Sequence, residues 1–207
     1  MYDWITHTWN TVKGECPHGC TYCYMKRFGK QNPIRFDEKE LKTDLGNGNF
    51  IFVGSSCDMF AESIPDEWIV KTLEHCGKFD NKYLFQTKNP ENIRRILSNE
   101  SRVCVTIETN RHYPEIMQNS PTPTERFFQC QFIRHPLYIT IEPIMDFDLV
   151  DFSVMISRLS PQQVNIGADS GNNYLPEPPK AKILELIRRL ELSTTVKQKS
   201  NLKRLLR

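Results

Sequence analysis

Six short apolar or β-branched runs recur along the chain, at Trp9 to Val12, Phe50 to Val53, Tyr83 to Gln86, Val103 to Ile107, Leu137 to Ile141 and Val164 to Ile166. Each closes on polar or glycine-bearing residues before a segment of different patterning, which is the rhythm of βα units. A seventh strand is expected at Thr194 to Lys197. Between the runs, Asp66 to Leu73 sets apolar residues at helical spacing behind an acidic start, and Pro90 to Leu97 opens with a proline suited to a first turn. Lys180 to Leu192 carries a stripe of Ile183, Leu184, Leu186, Ile187 and Leu190 that predicts a core-facing helix. The proline-bearing stretches Asn119 to Thr124 and Tyr174 to Pro179 read as loops. Strands joined by crossover helices pair in parallel. They form a closed or incomplete barrel or an open doubly wound sheet, and periodicity does not separate these.

The segment Cys16-Pro17-His18-Gly19-Cys20-Thr21-Tyr22-Cys23 follows the first run and places three thiols in eight residues, with Pro17 and Gly19 turning the chain into a loop. Cysteine thiolates are the usual ligands of iron–sulfur clusters, and a four-iron cluster held by three of them keeps one iron open. Buried structural thiols would give no reason for clustering around Pro and Gly. Structural zinc draws four ligands, commonly from paired knuckles, and no second Cys-x2-Cys or His-x3-His occurs here. A simple electron carrier has no use for an unligated iron.

At 207 residues, 39% hydrophobic and 25% charged, the chain suits one domain with a sizeable core. A net charge of +2 demands no polyanionic partner, although a local basic face is compatible with it. The N-terminal residues lack a basic-then-apolar leader pattern, and no stretch approaches the roughly 20 apolar residues of a membrane span. Seven cysteines, an odd number concentrated in one loop, fit a reducing compartment. A cytoplasmic protein without membrane attachment is expected.

The Cys-x3-Cys-x2-Cys spacing resembles the signature of the radical S-adenosylmethionine (SAM) superfamily. Further phrases resemble a phage-associated radical SAM family distantly similar to spore photoproduct lyase: Thr8-Trp9-Asn10, Val53-Gly54-Ser55-Ser56 with Pro65-Asp66-Glu67-Trp68, Phe85-Gln86-Thr87-Lys88-Asn89-Pro90, Ile141-Glu142-Pro143, and Gly167-Ala168-Asp169-Ser170-Gly171. Together they span most of the chain. The resemblance implies a partial (β/α)6 TIM-like barrel over residues 1–207, with chemistry at the C-terminal strand ends. It implies a [4Fe-4S] cluster on Cys16, Cys20 and Cys23. Electrons would come from a donor such as flavodoxin or ferredoxin, and SAM cleavage would yield a 5'-deoxyadenosyl radical that abstracts hydrogen.

On the same grounds, Gly54, Ser55, Ser56 and Asp58 are expected to receive the amino group of SAM, since Gly54 permits close backbone approach and the oxygens accept hydrogen bonds from an ammonium. Tyr22, just before the last loop cysteine, is placed beside the adenine. Glu108 and Asn110 are assigned to ribose or carboxylate, and Glu142 and Asp169 to ribose or substrate. Lys88 is assigned to a carboxylate or phosphate. Cys57 is a candidate hydrogen donor that reads equally as a small core filler. The basic segment 193–207, with Lys197, Lys199, Lys203, Arg204 and Arg207, is expected to contact a nucleic-acid substrate, while a solvated terminal helix explains the same cations as well and a peptide or small-metabolite substrate stays open. The reading from another class is a noncatalytic module whose metal loop is structural while these cations grip RNA or DNA.

Overall fold

The computed structural model describes residues 2–93 and 101–207. Seven strands form one sheet: β1 (His7–Trp9), β4 (Phe50–Val53), β5 (Lys82–Thr87), β6 (Ser101–Thr106), β7 (Leu137–Ile141), β8 (Gln163–Ile166) and β9 (Thr195–Gln198). They lie in that spatial order and every neighbouring pair is parallel. The sheet edges are β1 and β9, and no pairing among the described residues joins them into a closed barrel. The strand expected at Thr194 to Lys197 is therefore the seventh member of the sheet.

The crossovers carry α1 (Asp66–Cys76), α2 (Pro90–Ile93), α3 (Pro114–Met117), α4 (Pro123–Cys130), α5 (Leu149–Arg158) and α6 (Lys180–Leu190). Residues 94–97 of the helix expected from Pro90 to Leu97 lie outside the described residues. Strand alternation divides the sheet. Ile51, Val53, Tyr83, Phe85, Val103, Val105, Ile139 and Val164 join the main core with Ile69 of α1, Ile156 of α5 and Leu186 of α6. The opposite residues Phe50, Phe52, Leu84, Cys104 and Tyr138 pack against Tyr2, Trp4 and Ile5, so the N-terminal segment crosses that face. In α6 the stripe of Ile183, Leu186, Ile187 and Leu190 is buried while Leu184 is exposed. Each buried member contributes roughly 1.5–3 kcal/mol.

The first run resolves differently from the expected Trp9 to Val12. The sheet strand ends at Trp9, and Val12–Lys13 (β2) pairs antiparallel with Arg35–Phe36 (β3) in a separate ribbon. The two intervening side chains bond elsewhere: Asn10 accepts from Ser55 and Ser56, and Thr11 shares a 2.7 Å hydroxyl contact with Thr72 of α1. Helix α4 begins inside the proline stretch read as a loop, where Thr122 and Glu125 form a capping box around Pro123.

The segment 193–207 also departs from a freely solvated basic tail. It comprises β9 and a short helical turn, Ser200–Arg204, with Leu202 fully buried. Lys199 pairs with Glu142 and Arg204 with Glu177, so two of the five expected phosphate-binding cations are engaged within the chain. Among the described residues no helix is long and apolar enough to cross a membrane.

Candidate functional site

Because all seven strands run the same way, the residues following them share one edge of the sheet. The cysteine loop folds over the part of that edge beyond β4, β5 and β6. Thr21 N–H donates to Ile116 O at 3.0 Å, Asn119 N–H donates to His18 O at 3.1 Å, and Tyr24 Oη donates to Ser55 O at 2.8 Å. Cys20 is buried, with Cys16 and Cys23 half-buried.

Beneath the loop lies a buried polar cluster. Glu108, after β6, is completely buried and accepts from Tyr22 Oη and, at 2.7 Å, from Arg126 Nη1. Lys88 Nζ stands 3.9 Å from Glu108 and 5.4 Å from the centre of the Tyr22 ring. Arg126 is also fully buried and donates to Thr106 O, Pro121 O and Ser120 Oγ. Burial alone would raise the Glu108 carboxyl, but the charges of Arg126 and Lys88 overcome it and hold it below the ordinary glutamate range. Tyr22, assigned from sequence to the adenine, thus has its hydroxyl anchored on Glu108. Glu108, assigned to ribose or carboxylate, is bound chiefly to the protein itself.

The turn after β4 is built around Asn10. Its Oδ1 accepts from Ser55 Oγ at 3.2 Å, Ser56 N at 3.0 Å and Ser56 Oγ at 3.1 Å. The two hydroxyl protons are therefore committed and the hydroxyl lone pairs remain to accept. Gly54 opens the turn at φ +75°, a backbone region that side chains resist. Asp58 closes it: Oδ2 accepts from His18 Nε2 (2.7 Å), Thr87 Oγ1 (2.9 Å) and Lys88 N (2.8 Å), and Oδ1 accepts from Phe60 N (3.0 Å). Burial opposes the Asp58 charge, but His18 and the backbone donors hold its carboxyl below the usual range. Asp58 thereby ties the cysteine loop to the strand ends. Cys57 is buried, its Sγ donating to Asp58 O at 4.0 Å, and its mutual influence with Cys16 draws the Cys16 thiol down to about 6 and pushes its own thiol up.

The remaining expected residues lie apart from this cluster. Asn110 accepts from Asp148 N at 2.9 Å. Asp169 accepts from the Gly171 and Asn173 backbone and organises its own loop. Glu142 is paired with Lys199 and accepts from Asn201 Nδ2 at 2.8 Å, and the same amide also donates to Ala168 O and Ser170 Oγ. The sequence reading gave no site role to Arg126, Asn10, His18 or Asn201, although Asn10 stands in the Thr8-Trp9-Asn10 phrase and His18 in the cysteine loop; the Thr122-Pro123-Thr124-Glu125 cap could have revealed the helix that carries Arg126.

Among the described residues, no three His, Cys, Asp or Glu side chains converge to hold a single metal ion. The loop does offer three thiols beside a buried set in which two cations, Lys88 and Arg126, face one carboxylate. A thiolate-bound anionic group at the loop would balance that set.

The arrangement is a parallel α/β fold whose strand ends carry a cysteine loop and a glycine–serine turn. Two solved structures of Streptococcus suis SuiB share the fold over 95% of this chain: one at TM-score 0.61 and 9% identity, and SuiB bound to S-adenosylmethionine at 0.60 and 8%. The chain corresponds to about half of either, 50% and 51%. No curated protein matches it. The chain belongs to the family described as "Protein of unknown function (DUF5131)", whose model matches residues 1–180.

Proposed function

We propose that this protein is a radical SAM enzyme, with residues 1–207 forming one domain of the incomplete-barrel type and SAM held at the C-terminal strand ends. The observation that carries the proposal is the juxtaposition of the three-cysteine loop with the Gly54–Asp58 turn, tied by His18 and Asp58, on a fold shared with a SAM-bound structure. Cys16, Cys20 and Cys23 would hold a [4Fe-4S] cluster. In such a cluster each thiolate ligates a different iron, so the sulfurs need not converge on one point. When bound, such a group supplies the electron that cleaves SAM to methionine and a 5'-deoxyadenosyl radical.

The chain's own residues would orient and enclose the cofactor. Ser55 and Ser56 would accept from the SAM ammonium, with their hydroxyls aimed by Asn10. Lys88 would meet its carboxylate. Asn110, Glu142 and Asp169 would line the path to ribose or substrate, and an external flavodoxin or ferredoxin would supply electrons.

Anaerobic reconstitution with iron and sulfide tests the reading. The protein should turn brown, bind about four irons per chain, bleach on reduction with dithionite and convert SAM to 5'-deoxyadenosine. A colourless zinc protein that leaves SAM intact would overturn it. Asn10→Ala should weaken SAM binding about fivefold, on the order of 1 kcal/mol, because the serine hydroxyls lose their common acceptor. Iron loading should be unchanged. Calorimetry under nitrogen, with iron assayed on the same sample, checks both halves.

A further inference from the structure

The geometry points to a single-stranded nucleic-acid surface on the segment from Tyr24 to Phe36, which leaves the cysteine loop and returns as β3. This segment contains Lys26, Arg27, Lys30 and Arg35 and no acidic residue, twice the net charge of the whole chain within thirteen residues. All four cations are exposed, and among the described residues none lies within 4.0 Å of a carboxylate in an ion pair. Phe28 and Tyr24 are 67% and 44% exposed, and the Arg27 guanidinium lies 5.5 Å from the centre of each ring. Exposed rings alternating with unpaired cations present flat faces for bases and charges for phosphates, and unstacked bases of a single strand can use both.

A concavity adjoins these rings. A cleft of about 230 Å³ is lined by Lys13, Met25, Gln31, Asn32, Arg35 and Ser56. Asn32 carries an amide that can donate to and accept from base edges, and Gln31, whose amide nitrogen donates to Met25 O and Gly29 O, keeps its carbonyl oxygen to accept. Ser56 belongs to the turn assigned to SAM, so a nucleotide in the cleft would adjoin that turn. The ribbon holding the segment needs glycine at Gly14: its φ is +108°, and a Cβ there would stand 2.6 Å from Pro33 O. An acidic electron donor would also be attracted by the charge, but a flat protein contact makes no use of an amide-lined cleft. Nucleic acid is the occupant that uses charge, rings and cleft together.

For placing the bound strand at a reaction centre the inference rests on the proposed function, whereas binding itself is measured on the purified full chain without added iron or SAM. Failure of reconstitution would therefore leave this surface untouched, and loss of binding would leave the cofactor reading untouched. Fluorescein-labelled oligo-dT and oligo-rU are titrated at several salt concentrations beside a duplex of the same length. Single strands should bind more tightly than duplex. R27E/K30E should flatten the salt slope by roughly 0.7 per lost phosphate contact, and F28A should weaken single-strand binding on the order of tenfold. Lys82→Glu, an exposed position at the start of β5 and so at the end of the sheet away from the cysteine loop, should leave the slope unchanged. Equal affinity for wild type and R27E/K30E would overturn the proposal. So would a duplex bound as tightly as the single strands with F28A silent, or slower reduction by flavodoxin in R27E/K30E with unchanged oligonucleotide binding, which would assign the patch to the electron donor.

Discussion

Replacing Cys16, Cys20 or Cys23 by alanine should reduce reconstituted iron from about four per chain to less than about one and abolish the visible absorbance. Two thiolates would be too few to retain the proposed cluster. Cys76 and Cys130 are buried on the helical side, and burial pushes each thiol up to about 12. Neither should be ionised at neutral pH, and alanine at either position should leave iron content unchanged. The informative control is Cys57→Ala. Cys57 is buried in the core against which Cys16 packs and is not assigned as a ligand, so this variant should keep its iron. Iron loss in Cys57→Ala as complete as in Cys16→Ala would require a different ligand set. Iron and sulfide assays with absorbance spectra on the six variants decide the matter.

Arg126→Met should be the most destabilising single substitution near the site, costing about 3–5 kcal/mol, because it leaves Glu108 charged in a position from which water is excluded. The double variant E108Q/R126M should recover a large part of that loss, since no buried charge is then uncompensated by its main partner. The pH dependence carries a sign. The folded-state carboxyl of Glu108 is held below its unfolded value, so its contribution is fully present above the unfolded glutamate value of about 4.3 and is lost as pH falls through the lower folded value. Removing Arg126 takes away the largest of the influences that lower this carboxyl, so the gap between R126M and wild type should widen as pH rises from the lowered folded-state value toward about 4.3. Urea unfolding across that range measures it. A gap within about 0.5 kcal/mol at neutral pH would show that the pair carries little stability.

Six sheet strands were legible because each is a short run rich in β-branched or aromatic residues, and a run buried on both faces needs no long-range information to be recognised. The boundary at Trp9 was not legible. It depends on Asn10 bonding to Ser55 and Ser56, and on Thr11 meeting Thr72, residues far away along the chain. Helix α5 was overlooked although Phe152 and Ile156 have the spacing of a buried stripe. The helix carrying Arg126 is short, and its side chains outside the cap carry no distinctive pattern. Lys199 and Arg204 looked like free cations because their partners, Glu142 and Glu177, stand 57 and 27 residues away.

By itself the sequence determined the parallel βα order, the crowding of three thiols into one loop and the polar character of the strand ends, all consequences of local composition and spacing. Only the tertiary structure decided which polar groups remain available to a ligand. Glu108 and Asp58 have the same acidic chemistry as any strand-end carboxylate, but one is enclosed by Arg126, Tyr22 and Lys88 and the other by His18, Thr87 and two backbone amides. Tyr24, Arg27 and Phe28 instead stay in solvent. The physical reason is that desolvation and hydrogen-bond saturation arise from neighbours brought together by folding, and a charge's availability is set by those neighbours rather than by its place in the chain.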